Sequence, residues 1–524
     1  MSNSHFGKSV LIIDHKLEEL SRLRDIVSSL GYESIEAASS VNMGMNYLRS
    51  GDFSIVLVAY DLGKNEKNGL QVIQESFAEK LRIYQTLFFL VVEPGSSSLL
   101  VGSLETAPDA YISRPYDRAK IQHRLDKLLR VKKAVVRVEE AMDQGNWTLA
   151  LVYIQKLISV YPGLRVYLER LQGICLLESQ QYESALTLFR ELVESRQQTW
   201  ARVGLGMAEY FLANHTKSID LLQQVVDQQH ISVEAFSWLA RSLQALGNLS
   251  QSVVLMRKAV MLQPSVPQLQ SELGDMAANA QEWGLAIDAF RSAIKFARYS
   301  VFQEPDNYFA LVRCLLCRYE AKSGNKEELE LEAVRVMEEV LRDFLNNNVL
   351  QFKVHLLLSE ARFLLGNNAL ANAELAQALR YFKTLEKEDQ WRWVDWLDMR
   401  FVSDAGVQQA TAVKAELLAG SFAEAWITQM KEGMHDYKRK DLAAALEKFR
   451  LADLENSHCV ALKLNIVQVI LDLKEINACN LDEWVYCLGI LNSVNFGACG
   501  AKQQDRYQSL MSRYAGYQKE HESR

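Results

Sequence analysis

A repeat of about 34 residues in the middle of the chain restricts the fold more than any other feature of the sequence. Five small residues mark it, separated by 35, 33, 34 and 34 positions: Ala150, Ala185, Ser218, Ser252 and Ala286. A larger apolar residue follows each of them after four positions: Ile154, Phe189, Leu222, Met256 and Phe290. A helix–turn–helix unit has this length, and a single copy cannot bury its apolar face alone. The sequence therefore predicts helical pairs that stack into an all-α solenoid.

A second set of small residues stands twelve positions before four of these markers: Gly173, Gly206, Ala240 and Gly274. Together, the spacing and the residue types resemble the tetratricopeptide repeat (TPR), which implies a groove that binds a protein or peptide. We predict five TPR-like helical pairs over 131–297, a divergent helical pair over 298–350, further TPR-like repeats over 351–512, and a polar tail over 513–524.

The first 130 residues have a different pattern, in which short β-rich runs alternate with amphipathic stretches. The β-rich runs lie at 10–13, 34–37, 54–60, 86–92 and 109–113. Helical patterns lie at about 17–30, 40–50, 69–80, 96–105 and 117–130. Continuous apolar runs separated by helices are typical of a parallel sheet that is covered on both faces. We predict a doubly wound, five-stranded parallel sheet, with any site at the carboxyl ends of its strands.

Four segments in this region occur in a recognisable order: VLIIDH (10–15), LVAYDLG (57–63), VVE (91–93) and YISRPY (111–116). In these segments the region resembles the receiver domain of bacterial response regulators. The whole chain resembles a subfamily in which a receiver precedes TPR repeats. The resemblance implies a flavodoxin/CheY-like sheet and a role in a two-component phosphorelay.

A working receiver needs an aspartate that accepts the phosphoryl group and two further acidic groups that hold Mg²⁺. By the resemblance, Asp14 matches the first acidic position, whereas His15 stands where the second is expected. Ala59 stands where the acceptor aspartate is expected, and an alanine methyl cannot attack phosphorus. Counting back from Gly69 instead would make Asp61 the acceptor, and this alternative stays open.

The remaining receiver positions are also altered. Val91 replaces the hydroxyl residue and Arg114 replaces the lysine, whereas Tyr111 matches the switch aromatic. An arginine and an aspartate in one pocket pair directly, so we expect Asp14 and Arg114 to neutralise each other without metal. The degenerate pocket is thus Asp14, His15, Ala59, Asp61, Val91, Tyr111 and Arg114, with no catalytic residue, metal or cofactor expected.

Other chemistry has little support in the sequence. Cys314 and Cys317 form a lone CxxC in an amphipathic run, where core packing is favoured over a zinc or redox site. The aromatic stretch at 391–401 is interpreted as a helix buried between repeats, with a partner-binding patch as the alternative. A formal charge of −7 without a basic block argues against nucleic-acid binding. No bilayer-spanning window or signal peptide is visible, so a cytoplasmic location is expected.

These observations predict a non-enzymatic signalling adaptor. Its pseudo-receiver would dock on a sensor histidine kinase or a cognate response regulator and modulate, most simply inhibit, phosphotransfer, while the TPR groove binds another protein or peptide. Two alternatives remain: a phosphorylation-switched TPR response regulator that uses Asp61, and a TPR scaffold unrelated to phosphorelay. A homodimer, through the receiver or through the C-terminal helices, is also left open.

Overall fold

The computed structural model describes residues 8–63, 66–81, 84–94, 108–196, 198–228, 232–298, 300–322, 324–345, 347–419, 425–457, 459–475, 479–495, 497 and 499–522. The chain divides into two compact units. The first unit comprises Met1–Leu239, Lys258–Val266 and Tyr299–Val301, and the second comprises Ala240–Arg257, Pro267–Arg298 and Phe302–Arg524.

A parallel five-stranded sheet forms the start of the first unit. Its strands are β1 (Ser9–Ile13), β2 (Ser34–Ala38), β3 (Ile55–Ala59), β4 (Leu87–Val92) and β5 (Ala110–Ser113). Every β-rich run predicted from the sequence forms a strand. The strand order is β2-β1-β3-β4-β5, which is the flavodoxin-like order of doubly wound sheets. The carboxyl ends of β1, β3 and β4 therefore lie side by side at one edge.

Helices cover both faces of this sheet. They are α1 (Leu17–Ser29), α2 (Val41–Ser50), α3 (Gly69–Ala78) and the first half of α4 (Arg118–Asp143). The helices α1 and α4 bury Leu23 and Leu125 against one face. The helices α2 and α3 bury Met45 and Val72 against the other. We call residues 8–130 the sheet domain; the helix predicted at 96–105 lies outside the described residues.

The rest of the described chain is helical. The helices are α5 (Trp147–Val160), α6 (Arg165–Glu178), α7 (Tyr182–Arg196), α8 (Thr199–Phe211), α9 (His215–Asp227), α10 (Val233–Ala245), α11 (Leu249–Leu262), α12 (Pro267–Asn279), α13 (Trp283–Ala297), α14 (Pro305–Glu320), α15 (Lys326–Asp343), α16 (Asn348–Leu364), α17 (Asn368–Thr384), α18 (Lys387–Trp393), α19 (Asp404–Ala419), α20 (Ala425–Lys438), α21 (Leu442–Glu455), α22 (Val460–Glu475), α23 (Leu481–Asn492) and α24 (Ala501–Glu522). Short 3₁₀ turns occupy Pro162–Leu164 and Val394–Leu397.

The small residues of the repeat allow neighbouring helices to approach closely. In the first unit, the buried ring of Phe189 lies between Gly173 of α6 and Gly204 of α8. A Cβ atom added to either glycine would lie 2.6 Å from that ring. In the second unit, Gly274 meets Phe290 in the same way. In both cases, a large apolar side chain of the repeat packs directly on the backbone of a glycine in a neighbouring helix.

This contact predicts the effect of Gly173→Ala. The added methyl group overpacks the core, which costs about 1–3 kcal/mol and outweighs the roughly 1 kcal/mol of helix propensity that alanine gains over glycine. We expect chemical denaturation to show a net loss of stability of about 1–2 kcal/mol. Adding Phe189→Leu should recover part of that loss, because the smaller side chain leaves room for the methyl group.

The control is Gly284→Ala in α13, where an added Cβ meets nothing within 4 Å. That variant should be neutral or slightly stabilising. A loss at Gly284 equal to the loss at Gly173 would contradict the packing explanation.

Three segments differ from the sequence-based expectation. The helix α4 continues through residue 130, where the sheet domain was expected to end. The predicted polar tail is helical as far as Glu522, because Tyr514 is buried and Gln518 accepts a hydrogen bond from the indole of Trp484 at 2.6 Å. The aromatic stretch at 391–401 forms the end of α18 and a 3₁₀ turn rather than one helix, and it buries Trp396.

Candidate functional site

An ion pair occupies the carboxyl edge of the sheet. Asp14 directly follows β1 and Arg114 directly follows β5, so the parallel sheet brings both to this edge. Nη2 of Arg114 donates to Oδ2 of Asp14 at 2.5 Å, and Nη1 donates to Oε1 of Glu93 at 2.6 Å. The ammonium group of Lys16 also donates to Glu93, at 3.2 Å. The guanidinium group therefore fills the place beside Asp14 with positive charge.

The electrostatic surroundings of the two carboxylates differ. Burial raises the pKa of Asp14, although the backbone N–H of Lys16 and the charge of Arg114 act in the opposite direction. Hydrogen bonds from Arg114 and Lys16 lower the pKa of Glu93. Because a guanidinium is protonated at every accessible pH, Arg114 keeps a permanent positive charge beside the carboxyl group of Asp14. Among the described residues, no group of three or more His, Cys, Asp or Glu side chains could hold a metal ion.

The neighbouring positions on β3 and β4 are apolar. Ala59 and Val91 stand opposite each other in the strand register, and both are buried. The backbone N–H of Gly69, the first residue of α3, donates to the carbonyl of Tyr60 at 2.9 Å. A Cβ atom on Gly69 would overlap the carbonyl group of Ala59, so only glycine fits there. The end of β3 thus presents a buried methyl group at the carboxyl edge of the sheet.

Asp61 and His15 lie in the loops beside this edge. The carboxylate of Asp61 is exposed and accepts a hydrogen bond from the backbone N–H of Gly63 at 3.0 Å. Nδ1 of His15 donates to the carbonyl oxygen of Asp61 at 3.1 Å. The carboxylate of Asp61 therefore contacts only the backbone of its own loop among the described residues. His15 binds the main-chain carbonyl of Asp61 and not its carboxylate.

Tyr111, on β5, is half-buried and lies toward the helical repeats. Burial raises its pKa to about 12, with smaller and opposing effects from Arg170 of α6 and Glu234 of α10. On α3, the side chain of Gln71 bonds to both the hydroxyl and the carbonyl group of Ser265. Within the first unit, the β5 and α3 side of the sheet domain is thus placed against repeat helices.

A buried polar cluster joins the sheet domain to the first repeats. Nζ of Lys132 lies 3.0 Å from Oδ1 of Asp109 and 2.9 Å from Oε1 of Glu139. The hydroxyl group of Tyr167, on α6, donates to the same Glu139 oxygen at 3.0 Å. We call Asp109, Lys132, Glu139 and Tyr167 the junction cluster. Burial opposes the charge on Lys132, but its acidic neighbours outweigh burial and raise its pKa.

The junction cluster has no distinctive signal in the sequence. Lys132 and Glu139 are seven residues apart on α4, so they share a face of that helix. Their partners come from the segment before β5 and from α6. The only local signal is a lysine and a glutamate at helical spacing, which is a common arrangement on exposed helices.

The cysteines of the CxxC run pack in the second unit. Cys314 is buried and Cys317 is half-buried, and both are free thiols. Burial raises the pKa of Cys317 to about 11 and that of Cys314 well above its ordinary value. Thiols in such surroundings are structural rather than reactive.

A buried lysine lies among aromatic rings in the second unit. Nζ of Lys353 lies 3.5, 4.5 and 5.5 Å from the ring centres of Trp393, Trp396 and Phe309. The side chain is almost completely buried. The aromatic stretch that was interpreted as core therefore contributes two of the three rings around one cation.

A family model matches part of the helical region. Residues 239–301 match the tetratricopeptide repeat. The chain therefore carries TPR repeats, which are protein-interaction scaffolds. No helix of the described residues is long and apolar enough to cross a bilayer. The comparison with curated proteins gives no significant match.

Several solved structures of TPR proteins are similar to the chain. The C-terminal part of a TPR repeat-containing protein from Cytophaga hutchinsonii is 13% identical, with 48% of this chain and 97% of that chain covered and a TM-score of 0.38. A tetratricopeptide repeat protein from Parabacteroides merdae is 10% identical, with 65% and 98% covered and a TM-score of 0.29. Yeast Tom70 is 10% identical, with 70% and 85% covered and a TM-score of 0.22.

Proposed function

We propose that the sheet domain is a degenerate receiver and that the protein is a non-enzymatic adaptor of a two-component system. The observation that carries the proposal is Ala59 at the end of β3, beside an Asp14 that is already neutralised by Arg114. The fold supports docking on a receiver's partner, whereas the pocket lacks the nucleophile and the free acidic groups that phosphoryl transfer requires. The domain therefore binds a sensor histidine kinase without accepting its phosphoryl group.

An exposed apolar residue next to this pocket supports a docking role. Leu17, the first residue of α1, is 68% exposed. A shallow groove of about 660 Å³ runs along the same helix and is lined by Leu17, Arg22 and Ile26. An apolar side chain that fills a pocket of the partner can anchor a protein–protein contact. We assign the kinase-facing surface to this part of α1.

The test is a reconstituted phosphotransfer reaction. Purified kinase, its cognate regulator and this protein are incubated with labelled ATP, and the phosphorylated regulator is followed with time. We expect transfer to the regulator to slow as this protein is added in excess, and a complex with the kinase to form. Unchanged transfer together with no complex at excess protein contradicts the inhibitory function.

A pair of variants sharpens this experiment. Leu17→Glu should weaken kinase binding by about tenfold or more, because a charge replaces an apolar anchor. Val160→Glu is the matched control: Val160 is 63% exposed and lies on α5 of the repeats, so the variant should bind like the wild type. Equal binding by both variants would remove α1 from the proposal.

The phosphorylation-switched alternative is tested in parallel with acetyl phosphate and mass spectrometry. The proposal expects no acyl phosphate on the chain. A stable acyl phosphate at Asp61 would instead support a phosphorylation-driven switch. Affinity capture that recovers no kinase would favour a TPR scaffold unrelated to phosphorelay.

A further inference from the structure

A large cleft lies at the opposite edge of the sheet from the pocket of Asp14. It has a volume of about 1260 Å³ and is bounded by the segments that enter β1, β3 and β4, by the end of α2, and by one side of α4. Three acidic residues and six basic residues line it. The basic residues are Lys8, Arg49, Lys80, Arg130, Lys132 and Lys133. The lining therefore carries an excess of three positive charges.

Among the described residues, ion pairs neutralise two of these six cations. Arg49 pairs with Glu75 and Glu79 of α3, and Lys132 belongs to the junction cluster. Across the described chain, no carboxylate lies within ion-pair distance of Lys8, Lys80, Arg130 or Lys133.

Two of the unpaired cations, Lys8 and Lys133, repel each other electrostatically. Burial lowers the pKa of Lys8, and the positive charge of Lys133 lowers it further, against a smaller opposing effect of Asp126. Like charges in a partly desolvated cleft repel each other, and a bound anion removes that repulsion. The cleft is therefore electrostatically prepared for an anion and not for a cation or a neutral peptide.

We infer that this cleft binds a small phosphate-bearing ligand of nucleotide size. The unpaired cations Lys8, Lys80 and Lys133 contact the phosphate groups, since compact ammonium charges bind phosphate oxygens strongly. Apolar side chains of the same cleft, Phe53 and Leu129, form a wall for an organic group. The volume exceeds the roughly 300–1,000 Å³ of typical small-molecule sites, so the cleft has room for a ligand larger than a single phosphate. This binding is separate from the docking surface on α1.

The test is calorimetric titration of the full-length protein at low salt with three probes: inorganic phosphate, pyrophosphate and ATP. We expect one ligand per chain and affinity that rises from phosphate to pyrophosphate to ATP. The double variant Lys80→Gln/Lys133→Gln should weaken ATP binding by about tenfold or more, because two charge-assisted contacts are lost. Added salt should weaken binding to the wild type.

The matched control is Lys127→Gln. Lys127 is exposed on the same helix as Lys133 but does not line the cleft, so this variant should bind ATP within about twofold of the wild type. Thermal melts of all variants report whether the fold is intact. The inference is overturned if none of the probes binds the wild type, if a folded double variant binds ATP as the wild type does, or if an oligoglutamate peptide binds more tightly than ATP.

Discussion

Replacing Lys132 by methionine should destabilise the first unit by about 3–5 kcal/mol, because the change leaves Asp109 and Glu139 without their shared cation. Glu139 is almost completely buried, and burial already raises its pKa to about 7 in the presence of Lys132. Without the lysine, this carboxylate must either stay charged in an apolar setting or take up a proton. Hydrogen exchange followed by mass spectrometry measures the loss, in peptides that cover β5, α4 and α6.

Two further variants define the origin of this effect. In Lys132→Met/Glu139→Leu the buried charge of Glu139 disappears together with its partner, so the part of the loss that comes from Glu139 should return, whereas Asp109 still lacks its cation. Lys127→Met, which changes an exposed lysine on the same helix, should have an effect within about 0.5 kcal/mol of zero. If Lys132→Met were as mild as Lys127→Met, the junction cluster would not hold the sheet domain to the repeats.

The second large effect is a pH dependence in the second unit. Burial lowers the pKa of Lys353 from 10.5 to about 8, although Asp306 acts in the opposite direction. Between these two values the unfolded chain binds a proton that the folded chain has released, so stability rises with pH. The gain is about 3 kcal/mol, since one pKa unit corresponds to about 1.4 kcal/mol. Below pH 8 the folded protein bears the full cost of a buried charge.

The variant Lys353→Met isolates this contribution. We expect it to be more stable than the wild type at neutral pH and to lack the rise between pH 8 and pH 10.5. Chemical denaturation at several pH values, followed by circular dichroism, measures both. In the control Lys431→Met, an exposed lysine over the ring of Trp391 is removed, and the rise should persist. A wild-type stability that falls over this pH range more steeply than that of Lys353→Met contradicts the sign of the prediction.

Much of the fold is predictable from the sequence because its elements are specified locally. Each strand coincides with a β-rich run of the sequence, as β3 does with the run at 54–60. The repeat gives the helical pairs, and it also gives the contact between Gly173 and Phe189, since a small and a large residue recur at a fixed separation. These signals depend only on spacing along the chain.

The features that escaped prediction depend on residues far apart in the sequence. The bond between Gln71 and Ser265 joins positions 194 residues apart, and neither residue stands out in its own segment. The continuity of α4 through residue 130 is a different case: the helix contains no proline or glycine that would end it, and only the change of pattern after residue 130 suggested a boundary there.

The candidate pocket could be predicted from the sequence in part. The residues at the carboxyl edge follow from the strand order alone, and the resemblance to receivers supplied their expected roles. The pairing of Asp14 with Arg114 follows from opposite charges at the same edge of the sheet, although β3 and β4 lie between β1 and β5. The position of the Asp61 carboxylate, which faces its own loop, required the backbone path between β3 and α3.

The uninterrupted α4 limits the modularity of this protein. A cut at residue 130 would divide one helix and separate Lys132 and Glu139 from the sheet whose edge they support. The sheet domain therefore cannot be exchanged alone between proteins. Recombination or truncation at residue 130 would destabilise both fragments, and a stable chimera has to include the first helical pair together with the sheet.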